Sequence, residues 1–191
     1  MILAGGLGRR MGREKLSLEV DGLPLIEHVR NALASICGEV LVVGGPTFLA
    51  EGVRRVADER PGRKGPLAGI EAGLAASKYD SVFVAAGDMP FLTPDLVQYL
   101  LGRLEEGLAP AVVPRYAGRV HPLCGAYQRA LLPRVRAALD GEQLAVRGFL
   151  DGLDGVEYVG EEMEGLGDLD VVLMNINTPE DLSLARRGGR R

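Results

Sequence analysis

Short apolar runs that stop at glycine or aspartate alternate with segments of helical spacing along most of this chain, and that alternation points to an α/β fold. Residues 1–4 run into Gly5, residues 40–43 into Gly44-Gly45, and residues 82–86 into Gly87-Asp88. Apolar runs without polar alternation belong to strands covered on both faces. Between them, Leu25, Ile26, Val29, Leu33 and Ile36 keep helical spacing behind Pro24, which suits a first helical turn. Residues 66–77 form an Ala/Gly/Leu-rich helix, and Thr93-Pro94-Asp95 starts another that carries Leu96, Val97, Leu100, Leu101 and Leu104. Weaker strands are expected at 53–57, 111–113, 123–127 and 155–159, with a turn at Gly118 and a small extended segment at 16–20. Helices are expected near 129–139 and 144–153, then a last apolar strand at 171–175 and a closing helix at 179–187. Repeated βα units predict a mostly parallel, Rossmann-like sheet with helices on both faces. A chain of 191 residues suits one domain, here 1–187, with 188–191 a frayed basic tail.

Composition excludes several function classes. A net charge of −4 gives no electrostatic case for nucleic-acid binding. No apolar run reaches the length of a membrane span and no charged leader precedes one, so a cytoplasmic protein without a membrane partner is expected. Cys37 and Cys124, with His28 and His121, make no zinc spacing; both cysteines read as core residues. Residues 151–181 contain acidic side chains and no lysine or arginine, which suits a solvated face or a docking face for a basic partner.

The loop after the first strand carries the clearest chemistry. Gly5, Gly6 and Gly8 let backbone N–H groups converge on one anion, and Arg9, Arg10 and Lys15 add charge where phosphates would lie. It is not a P-loop, because Gly12 and Ser17 stand at the wrong distances from Lys15. The dinucleotide fingerprint also fails by one residue: Gly6, Gly8 and Gly12 read GxGxxxG. In an open α/β sheet, ligands bind outside the carboxyl ends of the strands. The glycine loop, Gly44, Asp58, Asp88, and Asn175 with Asn177 all follow predicted strands, which argues for one shared site. Asp88, between Gly87 and Pro90, is placed to offer a hard oxygen ligand to Mg²⁺ on nucleotide phosphates. Asp58, in Asp-Glu-Arg-Pro-Gly, reads equally as a ligand or as a turn former. Lys15 is one of three lysines in a chain that otherwise uses arginine, which favours a specific role.

The opening segment Leu3-Ala4-Gly5-Gly6-x-Gly8-x-Arg10-Met11-Gly12-x-x-Lys15 resembles that of the molybdenum cofactor guanylyltransferase family of nucleotidyltransferases. So do Gly65-Pro66-Leu67-Ala68-Gly69, Gly87-Asp88-Met89-Pro90, His121-Pro122, and the closing Asn175-x-Asn177-Thr178-Pro179-Glu180-Asp181-Leu182, in the family's order. The resemblance implies transfer of GMP from GTP to the terminal phosphate of molybdopterin, with release of pyrophosphate. It implies Mg²⁺ on Asp88, and Lys15 with Arg9 or Arg10 on the leaving pyrophosphate. The nucleotide would be held by the backbone of Leu3, Ala4, Gly5 and Gly6 and by Asp58. Asn175 and Asn177 would lie near the pterin substrate or the metal. Partner proteins that deliver the cofactor or receive it also follow from the resemblance. Relatives that use CTP tend to read LAAG where this chain has LAGG, and Gly5 leaves room beside a purine. Sugar-phosphate nucleotidyltransferases place their lysine later than the nine-residue step from Gly6 to Lys15. The chain departs from the family pattern at Gly44, where Asn is common, at Glu14, where Asp is usual, and in its short first strand. Competing readings are a nucleotidyltransferase with CTP or another phosphate acceptor, and a non-catalytic binder of the same fold.

Overall fold

The computed structural model describes residues 1–5, 15–45, 52–57, 60, 65–163 and 165–188. In chain order the strands are β1 (Ile2–Leu3), β2 (Glu19–Val20), β3 (Leu23–Pro24), β4 (Leu41–Val43), β5 (Arg54–Val56), β6 (Ser81–Ala86), β7 (Ala111–Tyr116), β8 (Arg119–Val120), β9 (Cys124–Gln128) and β10 (Glu157–Val159). The helices are α1 (Leu25–Ala34), α2 (Gly65–Ala76), α3 (Pro94–Glu106), α4 (Leu132–Asp140), α5 (Val146–Asp151), α6 (Leu169–Val172) and α7 (Pro179–Gly188).

The main sheet has the order β10-β7-β9-β6-β1-β4-β5, with β8 paired to β7. β1 lies between β4 and β6, parallel to both, with Leu3 in register with Val43 and with Ala86. The sheet is mixed, because β9 runs antiparallel to both β6 and β7. Adjacent strands lie about 4.8 Å apart, so this register places Ala4, Gly44 and Gly87 side by side at one edge of the sheet.

Period-two alternation divides each buried strand between two cores. Ile2, Val42, Phe83, Ala85 and Val112 face α1 and α3, where they meet Ile26, Val29, Leu33, Leu96 and Leu100. Leu3, Val43, Val84, Ala111 and Val113 face α2, α4 and α5, where they meet Leu67, Ile70, Val135 and Phe149. Each large side chain buried in this way contributes about 1.5–3 kcal/mol relative to exposure. Helix α2 can lie flat on β1 and β4 because Gly69 faces them; a Cβ there would stand 3.1 Å from Leu3 Cδ2. A third cluster, Val20, Leu25, Ile176, Leu182 and Ala185, packs α7 against the β2–β3 hairpin.

Several expectations need correction. Residues 15–17 form a short 3-10 turn, so only Glu19–Val20 of the segment 16–20 is a strand. α1 ends at Ala34, which leaves Ile36 beyond the helix and 37% exposed. The apolar run at 171–175 is no strand. Across 169–176 the buried positions are Leu169, Val172, Leu173 and Ile176, at helical spacing, and Asp168 caps α6 by accepting the N–H of Asp170 at 3.1 Å. Asn175 and Asn177 therefore follow a helix. α7 reaches Gly188, and Arg186 Nε donates to the carbonyl of Glu19 at 2.9 Å; residues 189–191 lie outside the described residues. Cys124 is buried in β9, Cys37 is partly buried, and both are free thiols. Part of the acid in 151–181 is used internally: Glu157 pairs with Arg103, and Asp168 and Asp181 accept from helix starts. No described helix is long and apolar enough to cross a membrane.

Candidate active site

The turn after β4 presses against the loop that leaves β1. Gly44 and Gly45 have φ of +69° and +82°, a region that glycine enters without steric cost. A Cβ on Gly44 would stand 3.1 Å from Gly5 Cα, and one on Gly45 would stand 2.3 Å from Ala4 Cβ. Leu3 accepts from Gly87 N–H at 3.1 Å, and Ala4 N–H donates to Val43 at 3.0 Å, so both keep sheet pairing up to the start of the loop. Gly5 is exposed, and among the described residues a Cβ there would meet Val43 O alone, at 3.9 Å. Gly6, Arg9, Arg10 and Asp58 lie outside the described residues.

Asp88 leaves β6 beside this loop. Its carbonyl accepts the N–H of Ile176 at 2.9 Å, which ties the strand end to the segment before α7. Its Oδ2 lies 2.5 Å from Lys15 Nζ, and its Oδ1 accepts from Asn175 Nδ2 at 3.3 Å. Lys15 Nζ also donates to Asn177 Oδ1 at 2.9 Å. The Lys15 and Asp88 side chains are 13% and 16% exposed, shielded yet open to solvent. Four residues singled out from three distant motifs thus form one hydrogen-bonded group. The asparagines face it because Ile176, between them, is fully buried in the third core cluster.

Helix α7 begins with a reciprocal cap. Asp181 Oδ2 accepts from the N–H groups of Asn177 and Thr178, both at 2.8 Å, and Thr178 Oγ1 accepts from Asp181 N–H at 3.1 Å. The bond from Asn177 holds the Asp181 carboxyl below the usual range; the Thr178 bonds and the Lys15 charge add to this against a smaller burial effect.

A cavity of about 790 Å³ adjoins the group, lined among others by Tyr116, Arg119, His121, Leu173, Asn175 and Asn177. That volume is typical of small-molecule sites. Burial, and secondly the charge of Arg119, hold the His121 imidazole below its ordinary range, which favours the neutral ring. The sequence motifs include His121 and Asp181 without giving either a role, and they do not point to Tyr116 or Arg119. For Asp181 the signal was present, since Thr-x-x-Asp ahead of an apolar helix is a capping pattern.

Among the described residues no group of three or more His, Cys, Asp or Glu could hold a metal ion. Asp88 offers a single carboxylate, with carboxamide oxygens near it. Such a donor set suits Mg²⁺ that takes its other oxygens from phosphates and water.

Residues 1–156 match the family model described as a MobA-like NTP transferase domain. A probable molybdenum cofactor guanylyltransferase of Pelotomaculum thermopropionicum is 38% identical over 189 residues, covering 97% of this chain and 90% of that protein. The chain belongs to the molybdenum cofactor guanylyltransferase family. Within that family's fold, the crystal structure of molybdopterin-guanine dinucleotide biosynthesis protein A from Archaeoglobus fulgidus superimposes with a TM-score of 0.84 at 28% identity, covering 98% and 96% of the two chains. The 2-C-methyl-D-erythritol 4-phosphate cytidylyltransferase of Thermus thermophilus shares the fold at a TM-score of 0.74 and 22% identity, covering 100% and 98%. The fold alone therefore does not select the base.

Proposed function

We propose that this protein transfers GMP from GTP to the terminal phosphate of molybdopterin, releasing pyrophosphate and forming the molybdopterin guanine dinucleotide cofactor. The observation that carries this reading is the convergence of Lys15, Asp88, Asn175 and Asn177 at the border of a cavity of about 790 Å³.

A phosphate oxygen of the acceptor attacks the α-phosphorus, a new P–O bond forms, and the bond to the β-phosphate bridging oxygen breaks. No protein nucleophile is needed. The chain aligns the reactants and offsets the crowded negative charge. Lys15, released from Asp88, neutralises charge on the leaving pyrophosphate together with Arg10. Backbone groups of Leu3, Ala4, Gly5 and Gly6 border the guanosine, and Asp58 accepts from the nucleotide. Asp88 would hold Mg²⁺. When bound, that ion supplies positive charge to the phosphate oxygens as the bond is exchanged. Asn175 and Asn177 join this centre to the cavity, where the acceptor lies within reach of Arg119 and the neutral ring of His121. GTP as the donor implies a cytoplasmic setting, and the product calls for protein partners that hand the cofactor on.

The test is pyrophosphate release with GTP and with CTP, each with and without molybdenum cofactor, and with and without Mg²⁺. Release that needs GTP, cofactor and Mg²⁺ together is expected. Asp88→Ala should abolish it, with the fold intact by circular dichroism. Release with CTP and cofactor would overturn the base assignment. Binding of GTP without any release would make the protein a non-catalytic binder.

A further inference from the structure

Asn177 stands between two fixed neighbours. On one side, Ile176 is fully buried with Val20, Leu25 and Leu182, and it donates its N–H to the Asp88 carbonyl at 2.9 Å. On the other, the Asp181 carboxylate takes the N–H groups of Asn177 and Thr178 on one oxygen, both at 2.8 Å. The backbone of Asn177 is thereby set from both directions, and its Oδ1 receives Lys15 Nζ at 2.9 Å. A cap that served α7 alone would not have to reach back to Asn177. This one ends at the residue that holds the lysine.

We propose that Asp181 is a positioning residue for the transfer reaction, acting through Asn177 on the Lys15 ammonium. The proposal rests on the reading of the site given above. Asp181 also lines the cavity, but the role assigned to it runs through its two accepted hydrogen bonds, which fix where the Asn177 carboxamide meets Lys15. Without them the segment between Ile176 and α7 loses its turn, and Lys15 loses one of its two partners among the described residues. Misplacing a charge-bearing group by about 1 Å can lower a rate by about 100-fold; a residue acting at one remove should cost less, about tenfold.

The cap function and the positioning function separate in a double-mutant cycle. Wild type, Asp181→Ala, Asn177→Ala and the double variant are compared in guanylyl transfer and in thermal unfolding. Asp181→Ala should lower kcat by about tenfold, with KM for GTP within about twofold. Asp181→Asn, which keeps an acceptor oxygen, should recover to within about threefold of wild type. In the Asn177→Ala background, Asp181→Ala should lower kcat no further, while the loss of Tm from the missing cap persists in both backgrounds. An equal loss of kcat in both backgrounds, or none in either, would reduce Asp181 to a structural cap.

A second readout does not depend on turnover. With three lysines in the chain, acylation at Lys15 can be followed by peptide mapping beside that of Lys78, whose side chain is 74% exposed. Asp181→Ala should speed acylation of Lys15 about threefold or more and leave Lys78 unchanged, as expected when a local hydrogen bond is lost. An unchanged Lys15 rate would overturn the proposal. Absence of pyrophosphate release by the wild type would instead count against the reaction itself, and the acylation series would still decide the role of Asp181.

Discussion

Replacing Lys15 by methionine should convert Asp88 into an open cation site. The ammonium lies 2.5 Å from Oδ2, and both side chains are less than a fifth exposed, at 13% and 16%. A divalent ion that arrives without nucleotide has to displace that ammonium. A hydrogen bond to a charged group contributes about 1.5–3 kcal/mol. At about 1.4 kcal/mol per tenfold, its removal should tighten binding of Mn²⁺ by about 10- to 100-fold. The same change leaves the Asp88 carboxylate without its lysine, so stability falls by a similar amount when metal is scarce. For a chain of this size each kcal/mol lowers Tm by about 2–4 °C, giving a loss of about 3–12 °C.

Two assays check this in the absence of nucleotide. Free Mn²⁺, followed by electron paramagnetic resonance, reports affinity directly. Thermal unfolding against MgCl₂ reports it through linkage, because an ion that binds the folded state raises Tm as its concentration passes Kd. The variant should gain Tm with millimolar Mg²⁺ while the wild type stays nearly flat, and adding Asp88→Asn to the variant should abolish the gain. Equal Mn²⁺ affinity in variant and wild type would refute the idea that the lysine competes with the metal.

Two further changes probe the scaffold. Gly45→Ala puts a Cβ where Ala4 Cβ stands 2.3 Å away, at a φ of +82°. Left-handed strain of about 1–2 kcal/mol and overpacking of about 1–3 kcal/mol predict a loss of about 2–5 kcal/mol in urea unfolding, and a wild-type midpoint would show that β1 yields. Glu71→Gln removes a carboxylate held below its usual range, mainly by its hydrogen bond to Arg60 and further by Arg136. A depressed carboxyl stabilises the fold above its unfolded pKa of about 4.3, and that contribution disappears as pH falls through the folded value. The Tm gap between wild type and variant should therefore be widest above about pH 5 and close at lower pH; a gap independent of pH would contradict the assignment.

The legible parts of the fold were those fixed by local chemistry. β4 and β6 show as unbroken apolar runs because both faces are covered, and Thr93 announces α3 by capping it, accepting from Leu96 N–H at 3.3 Å. The direction of β9 was legible in principle. Seven residues separate Tyr116 from Cys124, too few for a parallel crossover, so the turn at Gly118 forces an antiparallel return. The run 171–175 was ambiguous because four consecutive apolar residues fit a buried strand as well as a helix. Two features decide for the helix: Asp168 caps it, and Ile176 must be free to reach the Asp88 carbonyl. The second is tertiary, and no local pattern contains it.

The same distinction runs through the candidate site. Chemistry at each position was readable: a lysine beside a glycine loop suits phosphate, and an aspartate at a strand end suits a metal ion. Their mutual pairing was not readable, because it depends on a segment more than eighty residues downstream threading between the end of β6 and the start of α7. That pairing changes the energetics of the proposed reaction. Without substrate the lysine and the aspartate cancel one another, and neither stands as an uncompensated charge in a shielded place. A nucleotide carrying Mg²⁺ offers partners to both at once: phosphate to Lys15, metal to Asp88. Either alone must break the ion pair and leave one partner unmatched. On this reading the pair makes the site selective for the nucleotide–metal complex over its separate components, a coupling that neither motif reveals when read alone.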